Sequence, residues 1–90
     1  MTILEEAQAH VYGDRQQAYG HPLDDFTRTG RMWAAILGVP EVTAEQVALC
    51  MVAVKISREC NAAKRDNRVD GAGYFGALDL VIHERERRAA

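Results

Sequence analysis

The chain has 90 residues and a mass of 10.0 kDa, which fits one domain and leaves too little sequence for a second. Apolar residues make up 48% and charged residues 27% of the chain, which excludes a disordered or low-complexity protein. The net charge of −2 argues against general binding to duplex DNA, which normally requires a basic surface.

The sequence predicts neither a secretory signal nor a membrane span. Glu5 and Glu6 stand where a signal peptide would carry basic residues. No apolar run approaches the roughly 18 residues that a transmembrane helix needs. We therefore expect a cytoplasmic protein that makes no contact with membranes.

Two features bear on how so short a chain is stabilised. A chain of this length buries only about 60–65% of its unfolded surface, so we expect a homo-oligomer. No disulfide is expected, because Cys50 and Cys60 on one helix would lie about 15 Å apart. No C-x-x-C or paired-histidine spacing predicts a zinc site. Both cysteines are predicted to be buried, as small apolar residues in a reducing compartment.

Helix signals dominate, and they predict an all-α bundle of about four helices in a single domain. Thr2 and Glu5 form a capping box that opens the first helix, whose apolar spacing reaches Val11. Turn residues at positions 19–22 precede a second helix. That helix is predicted to stop at Gly38.

A second capping box, Thr43 with Gln46, opens a third helix that reaches about Cys60. Because residues 47–54 are apolar all round, this helix is predicted to be central and buried. A polar linker at residues 61–67 precedes the fourth helix.

The fourth helix is predicted to begin at about Arg68. Gly71, Gly73 and Gly76 interrupt its early part. Each glycine costs about 1 kcal/mol relative to alanine inside a helix. We therefore expect either close approach to another helix or ligand, or a later helix start.

The first set of candidate site residues joins the third and fourth helices. Lys55 and Arg58 lie three residues apart on one helix, and Asp66, Asp70 and Tyr74 follow at helical spacing. One interpretation is structural: the two cations form ion pairs with the two aspartates. The other is a polar site in which the cations hold phosphate while aspartate holds a ribose or a metal.

A second set surrounds the predicted turn. Gly20 permits a bend that places Tyr19 and His21 at a helix N-terminus, where anions are favoured. Aromatic residues beside cations commonly hold a base and its phosphate. The alternative is that Tyr19 packs in the core and His21 is an exposed turn residue. For Phe26 and Trp33 we predict core packing.

These motifs resemble known families as an ordered set. The set comprises Tyr19-Gly20-His21-Pro22, Phe26, Trp33, Val47-Ala48-Leu49, Met51-Val52, Lys55, Arg58, Asp66, Val69-Asp70 and Gly73-Tyr74. It is similar to a family of small phage proteins of unknown function and, more distantly, to nucleotide-modification-associated phage proteins. A weaker similarity is to the MazG-like all-α nucleoside triphosphate pyrophosphohydrolases, which hold Mg²⁺ with two pairs of acidic residues.

The chain departs from the MazG-like pattern in its acidic residues. Asp66 and Asp70 are spaced by four rather than three, and the central helix has acids only at its ends, Glu45 and Glu59. Since Mg²⁺ needs several oxygen ligands and hydrolysis needs a positioned water, the pattern favours binding over catalysis.

The sequence therefore favours a phage accessory protein of the host cytoplasm that binds a phosphorylated nucleotide, for example to sequester a host immune signal, and needs no metal or cofactor. The predicted ligand-binding residues are Tyr19, Gly20, His21, Lys55, Arg58, Asp66, Asp70 and Tyr74. One alternative is a MazG-like pyrophosphohydrolase that uses Mg²⁺ at Asp66 and Asp70. Another is a protein-binding module that acts on a host factor.

Overall fold

Two long helices, packed side by side in opposite directions, carry the rest of the chain. The computed structural model describes residues 1–90 and contains helices but no strands, which confirms the predicted all-α class. The helical elements are α1 (Ile3–Ala9), a π-helical segment (His10–Asp14), α2 (Arg15–Tyr19), α3 (Pro22–Leu37), α4 (Ala44–Asn61) and α5 (Arg65–Ala89). None of them combines the length and the apolar character needed to cross a membrane.

The helices begin and end at the predicted signals. The hydroxyl of Thr2 accepts a hydrogen bond from the backbone N–H of Glu5 at 3.2 Å, and the Glu5 carboxylate accepts one from the N–H of Thr2 at 3.0 Å. Thr43 and Gln46 form the same reciprocal pair at the start of α4, at 3.1 and 2.9 Å. Each box satisfies backbone donors that a helix start leaves free. Gly38 ends α3 with a φ of +69°, in the region that favours glycine.

The first helical segment extends beyond its apolar spacing. That spacing predicts helix only as far as Val11, whereas helical structure continues through the π-helical segment and α2 to Tyr19. Gly13 has φ −114° and ψ −106°, a non-helical conformation where the turn widens. Residues 3–19, called here the N-terminal segment, contact α5 through their first part and α3 through their last.

A short connection places α4 and α5 antiparallel. Helix α5, which corresponds to the predicted fourth helix, begins at Arg65, earlier than the predicted start at about Arg68. Glu59 explains the difference, because its carboxylate accepts hydrogen bonds from the backbone N–H of Lys64 at 2.9 Å and from the Asn67 amide at 3.2 Å. These bonds fix the first turn of α5 against the end of α4.

The core lies on one face of the α4–α5 pair, which α3 and the N-terminal segment cover. Val47, Val69 and Val81 are the largest fully buried side chains. Phe26 belongs to the core, and Trp33 is partly buried against it. Both aromatic residues therefore have the packing role that the sequence predicts.

The prediction that α4 is buried all round is wrong. Its buried residues are Ala44, Val47, Ala48 and Val52. Leu49 and Ile56 are 47% and 59% exposed, and Cys50 and Cys60 are exposed as well, contrary to the expectation that both cysteines are buried. The physical reason is that α3 and α5 cover α4 from one side only.

Candidate functional site

A cleft opens where the N-terminal segment, the start of α3 and the first half of α5 meet. It is partly open to solvent. Its polar and aromatic wall residues are His10, Arg15, Gln16, Tyr19, Asp25, Phe26, Asp70 and Tyr74. The cleft thus brings together two stretches of the sequence about 50 residues apart. Four predicted ligand-binding residues from these stretches line it: Tyr19, Gly20, Asp70 and Tyr74.

Arg15 is the cation at the centre of this wall. Its guanidinium lies 5.2 Å from the ring centroid of Tyr74, and its Nη1 donates a hydrogen bond to the Tyr74 hydroxyl at 3.3 Å. Burial lowers the pKa of Arg15, but the bond to Tyr74 and the negative charge of Asp70 outweigh it, and the pKa lies above its usual value. Arg15 forms no ion pair, so most of its five N–H donors remain available to an anion.

Phe26 of α3, with Gly73 and Tyr74 of α5, shapes the base of the cleft. The rings of Phe26 and Tyr74 lie 6.3 Å apart between centroids, tilted by 38°, a separation typical of packed aromatic pairs. A Cβ at Gly73 would lie 3.6 Å from Cγ2 of Val11. The glycine therefore borders the N-terminal segment, as close packing predicts, but at an ordinary contact distance that leaves room for a methyl group.

The acidic side chains on the cleft have basic partners. Asp70 forms an ion pair with Lys55, with 3.0 Å between Oδ2 and Nζ, and the two side chains are only 28% and 14% exposed. This is the ion pair of the structural interpretation. Asp25 lies 3.9 Å from Arg28, so its carboxylate is held more loosely.

The turn between α2 and α3 places Tyr19 at the rim. Gly20 has a φ of +80°, which favours glycine over any other residue. His21 caps α3, since its Nδ1 accepts a hydrogen bond from the backbone N–H of Leu23 at 3.0 Å. His21 therefore fixes the start of α3 and does not line the cleft. The carbonyl of Tyr19 accepts a hydrogen bond from Arg28 at 3.3 Å.

Arg58 and Asp66 lie outside the cleft. Both are exposed, and of the four possible pairs between the two cations and the two aspartates only Lys55 with Asp70 is formed. No group of three or more His, Cys, Asp or Glu side chains is arranged to hold a metal ion. Asp66 and Asp70 therefore lack the further acidic ligand that a Mg²⁺ site of the MazG-like kind requires.

Sequence reasoning did not select Arg15 or His10, although both line the cleft. Arg15 precedes Tyr19 by four residues, about one helical turn, and this spacing is the signal that could have placed them on one face. The contact of Arg15 with Tyr74 spans 59 residues. It follows from the packing of the N-terminal segment on α5 and from no local pattern.

Comparison with known proteins places the chain in a family. The family profile described as "Domain of unknown function (DUF6378)" matches residues 2–82. The chain belongs to this family. Together with the two phage relatives described next, this match confirms the resemblance to phage proteins of unknown function. The matches do not support the nucleotide-modification-associated or MazG-like similarities.

Two curated relatives come from mycobacteriophages. The "Gene 55 protein" of Mycobacterium phage D29 is 34% identical over 84 residues, which cover 92% of this chain and 55% of the relative. The "Gene 55 protein" of Mycobacterium phage L5 is 37% identical over 89 residues, which cover 97% and 57%. The chain thus spans about half the length of the curated relatives it matches. No solved structure matches it.

Proposed function

We propose that this phage protein binds a phosphorylated nucleotide in the cleft beside Arg15 and Tyr74. The observation that carries the proposal is the guanidinium of Arg15, which lies over the Tyr74 ring without a carboxylate partner. A guanidinium with free N–H groups matches phosphate oxygens in a two-pronged geometry. The cleft therefore presents a positive charge that the chain itself does not neutralise.

The surrounding residues fit a nucleotide better than a simple anion. A nucleotide combines a phosphate, a flat base and sugar hydroxyls. Tyr19 is 57% exposed at the rim and offers an aromatic surface on which a base can stack. Asp25 is held only at 3.9 Å by Arg28, so its carboxylate can accept a hydrogen bond from a sugar hydroxyl. All three ligand chemistries meet on one wall.

The proposal assigns the predicted residues different tasks. Lys55 neutralises Asp70 and keeps an unpaired negative charge away from the phosphate. Gly20 and His21 set the turn that carries Tyr19 to the rim. Arg15 takes the role of phosphate ligand that was predicted for Arg58, while Arg58 and Asp66 remain outside the cleft.

We infer binding without conversion of the nucleotide. The acidic residues of the wall lie beside basic partners, so this arrangement suits an anion better than a hydrated Mg²⁺ ion. Sequestration of a host signalling nucleotide is one role that requires binding alone. The pyrophosphohydrolase alternative would instead require Mg²⁺-dependent release of pyrophosphate or phosphate at Asp66 and Asp70.

The test is a thermal-shift and calorimetric titration of the protein with the four ribonucleoside 5′-monophosphates. The matching nucleosides and inorganic phosphate serve as partial ligands. We expect a monophosphate to raise Tm more than either of its parts. Arg15→Ala should weaken binding by about 1.5–3 kcal/mol, the usual loss for a hydrogen bond to a charged group.

Arg31→Ala is the matched control, because Arg31 is an exposed arginine of α3 that lies outside the cleft and loses the same charge. It should leave the affinity unchanged. Equal affinities of Arg15→Ala and the unmodified protein, or no shift with any nucleotide, would contradict the proposal. Turnover of a nucleoside triphosphate above the level of a heat-inactivated sample would favour the enzyme instead.

A further inference from the structure

The side of α4 that faces away from the core carries an apolar stripe. Leu49, Ala53, Ile56 and Cys60 follow one another at intervals of four, three and four residues, which places them on one side of the helix. All four are exposed. The opposite side of α4 packs against α3, so no part of the chain covers the stripe.

Two large apolar residues of α5 continue this surface. Phe75 and Ile82 are 53% and 38% exposed, and a spacing of seven residues places them on the same side of the helix. That side is distinct from the one that buries Val69, Ala77 and Val81.

Two ion pairs show that the stripes of α4 and α5 are neighbours. Arg68 reaches Glu59 at 2.5 Å, and Arg85 reaches Glu45 at 2.7 Å, so each pair crosses from α5 to α4. Leu49 and Ile56 lie between the two glutamates at helical spacing, and Phe75 and Ile82 lie between the two arginines. The outer face, defined by Leu49, Ala53, Ile56, Phe75 and Ile82, is therefore one surface shared by both helices, and it is apolar except for Asp79 between Phe75 and Ile82.

The ends of the outer face carry opposite charges. Lys64 precedes Phe75 at the basic end, and Glu86 follows Ile82 at the acidic end. Glu86 lies eleven residues after Phe75, about three helical turns, and so shares its side of α5. Arg68 and Asp79 lie on the same side, but they are paired within the chain with Glu59 and His83. Lys64 and Glu86 are exposed and have no ion-pair partner within the chain.

We propose that the outer face binds a second copy of this chain about a two-fold axis, with the two α4–α5 pairs antiparallel across the interface. A two-fold axis brings the same patch of both copies into contact. Reversal of direction sets the basic end of one copy against the acidic end of the other, with Lys64 facing Glu86 of the other copy. Phe75 lies midway between Lys64 and Glu86, so the axis passes near it, and the apolar centre is buried between four helices.

Charge complementarity is the reason to favour a second copy over a different protein. An apolar strip with opposite charges at its two ends is complementary to itself when reversed. A dimer also supplies the apolar burial that a chain of this length lacks. The proposal concerns a face opposite the cleft, so it stands or falls independently of nucleotide binding.

The test is light scattering coupled to size exclusion at micromolar protein concentrations. We expect a mass twice that of the chain, and a mass near that of one chain for Ile56→Glu and, as a second variant, Leu49→Lys. Ile36→Glu is the matched control, since Ile36 is 80% exposed on α3, outside the outer face, and should leave the dimer intact. Circular dichroism checks that every variant remains helical.

Charge reversal tests the antiparallel direction. Because a two-fold dimer contains this pair twice, Lys64→Glu and Glu86→Lys should each weaken the dimer by about 2- to 30-fold at low salt, the range of two exposed ion pairs, whereas the double variant should restore it. A monomer at all concentrations would overturn the proposal, and so would a dimer that survives both Ile56→Glu and Leu49→Lys. Failure of the double variant to restore the affinity would overturn the antiparallel arrangement.

Discussion

The two faces of the α4–α5 pair are built from the same kinds of residue but have different surroundings. On α5, Val81 is fully buried, while the next residue, Ile82, is 38% exposed. On α4, Val52 is buried and Ala53 is exposed. Both faces are apolar in the sequence. Which of them becomes core depends on where α3 and the N-terminal segment pack, and these cover one face only.

The polar residues of the two faces also have different partners. On the covered face, Lys55 pairs with Asp70, whereas Arg15 at the cleft forms no ion pair. On the outer face, Lys64 and Glu86 lie at opposite ends of an apolar strip. The two proposals thus assign a small ligand to the cleft on the covered face and a second copy to the outer face.

Adjacent residues of α5 give the largest expected contrast. Val81→Ala should lower the free energy of unfolding by about 1.5–3 kcal/mol, because it removes buried apolar surface and leaves a cavity. Ile82→Ala should change it by less than about 0.5 kcal/mol in the monomer, while weakening self-association. Urea unfolding at a dilute concentration measures both. Equal losses of stability would show that the two faces are not distinct in the way described.

Substitutions in the Lys55–Asp70 pair should have a smaller effect on the free energy of unfolding. They should also change the nucleotide affinity, in a direction that depends on which charge is removed. Lys55→Met leaves a partly buried carboxylate unpaired, which should cost about 1–2 kcal/mol of stability, less than the cost for a fully buried pair. The unpaired charge at the wall should also weaken nucleotide binding. Asp70→Asn should cost similar stability, but it should strengthen or preserve binding, because Lys55 then stays positive and unpaired.

The double variant Lys55→Met with Asp70→Asn is the control, since it removes both charges. We expect it to recover part of the stability lost by either single change. Thermal unfolding and the nucleotide titration are the two measurements. If Lys55→Met and Asp70→Asn shift the nucleotide affinity in the same direction, Asp70 does not act on the ligand through its charge.

Local chemistry made much of this fold predictable. The boxes at Thr2 and Thr43 and the left-handed Gly38 depend on residues within one turn of each other, so their spacing in the sequence suffices. The Lys55–Asp70 pair could be proposed as one of two alternatives, because a short connection forces α4 and α5 to lie side by side.

Features that depend on distant packing could not be predicted in this way. Arg15 meets Tyr74 only because the N-terminal segment lies along α5. Cys60 is exposed because nothing covers its side of α4, a fact that no pattern within α4 records. For the same reason, the apolar run of residues 47–54 predicted a buried helix, whereas one side of it is the outer face.

The smallest expected effect is a difference in the pH dependence of Tm between Glu84, which is paired with arginines, and Glu86 on the outer face. The Glu84 carboxylate accepts hydrogen bonds from Arg87 at 2.7 and 2.6 Å and from Arg88 at 2.9 Å. These bonds lower the pKa of Glu84 from 4.5 to about 2. Since the pKa is lower in the folded state, the carboxylate contributes stability above pH about 4.5, and this contribution is lost as the pH falls towards 2.

Glu84→Gln should therefore flatten the decline of Tm over that interval. Glu86→Gln, two residues further on and without an ion-pair partner, should leave the decline unchanged when both variants are measured at a dilute concentration. Parallel Tm profiles of Glu84→Gln and the unmodified protein would show that the arginines do not stabilise the charged form of Glu84.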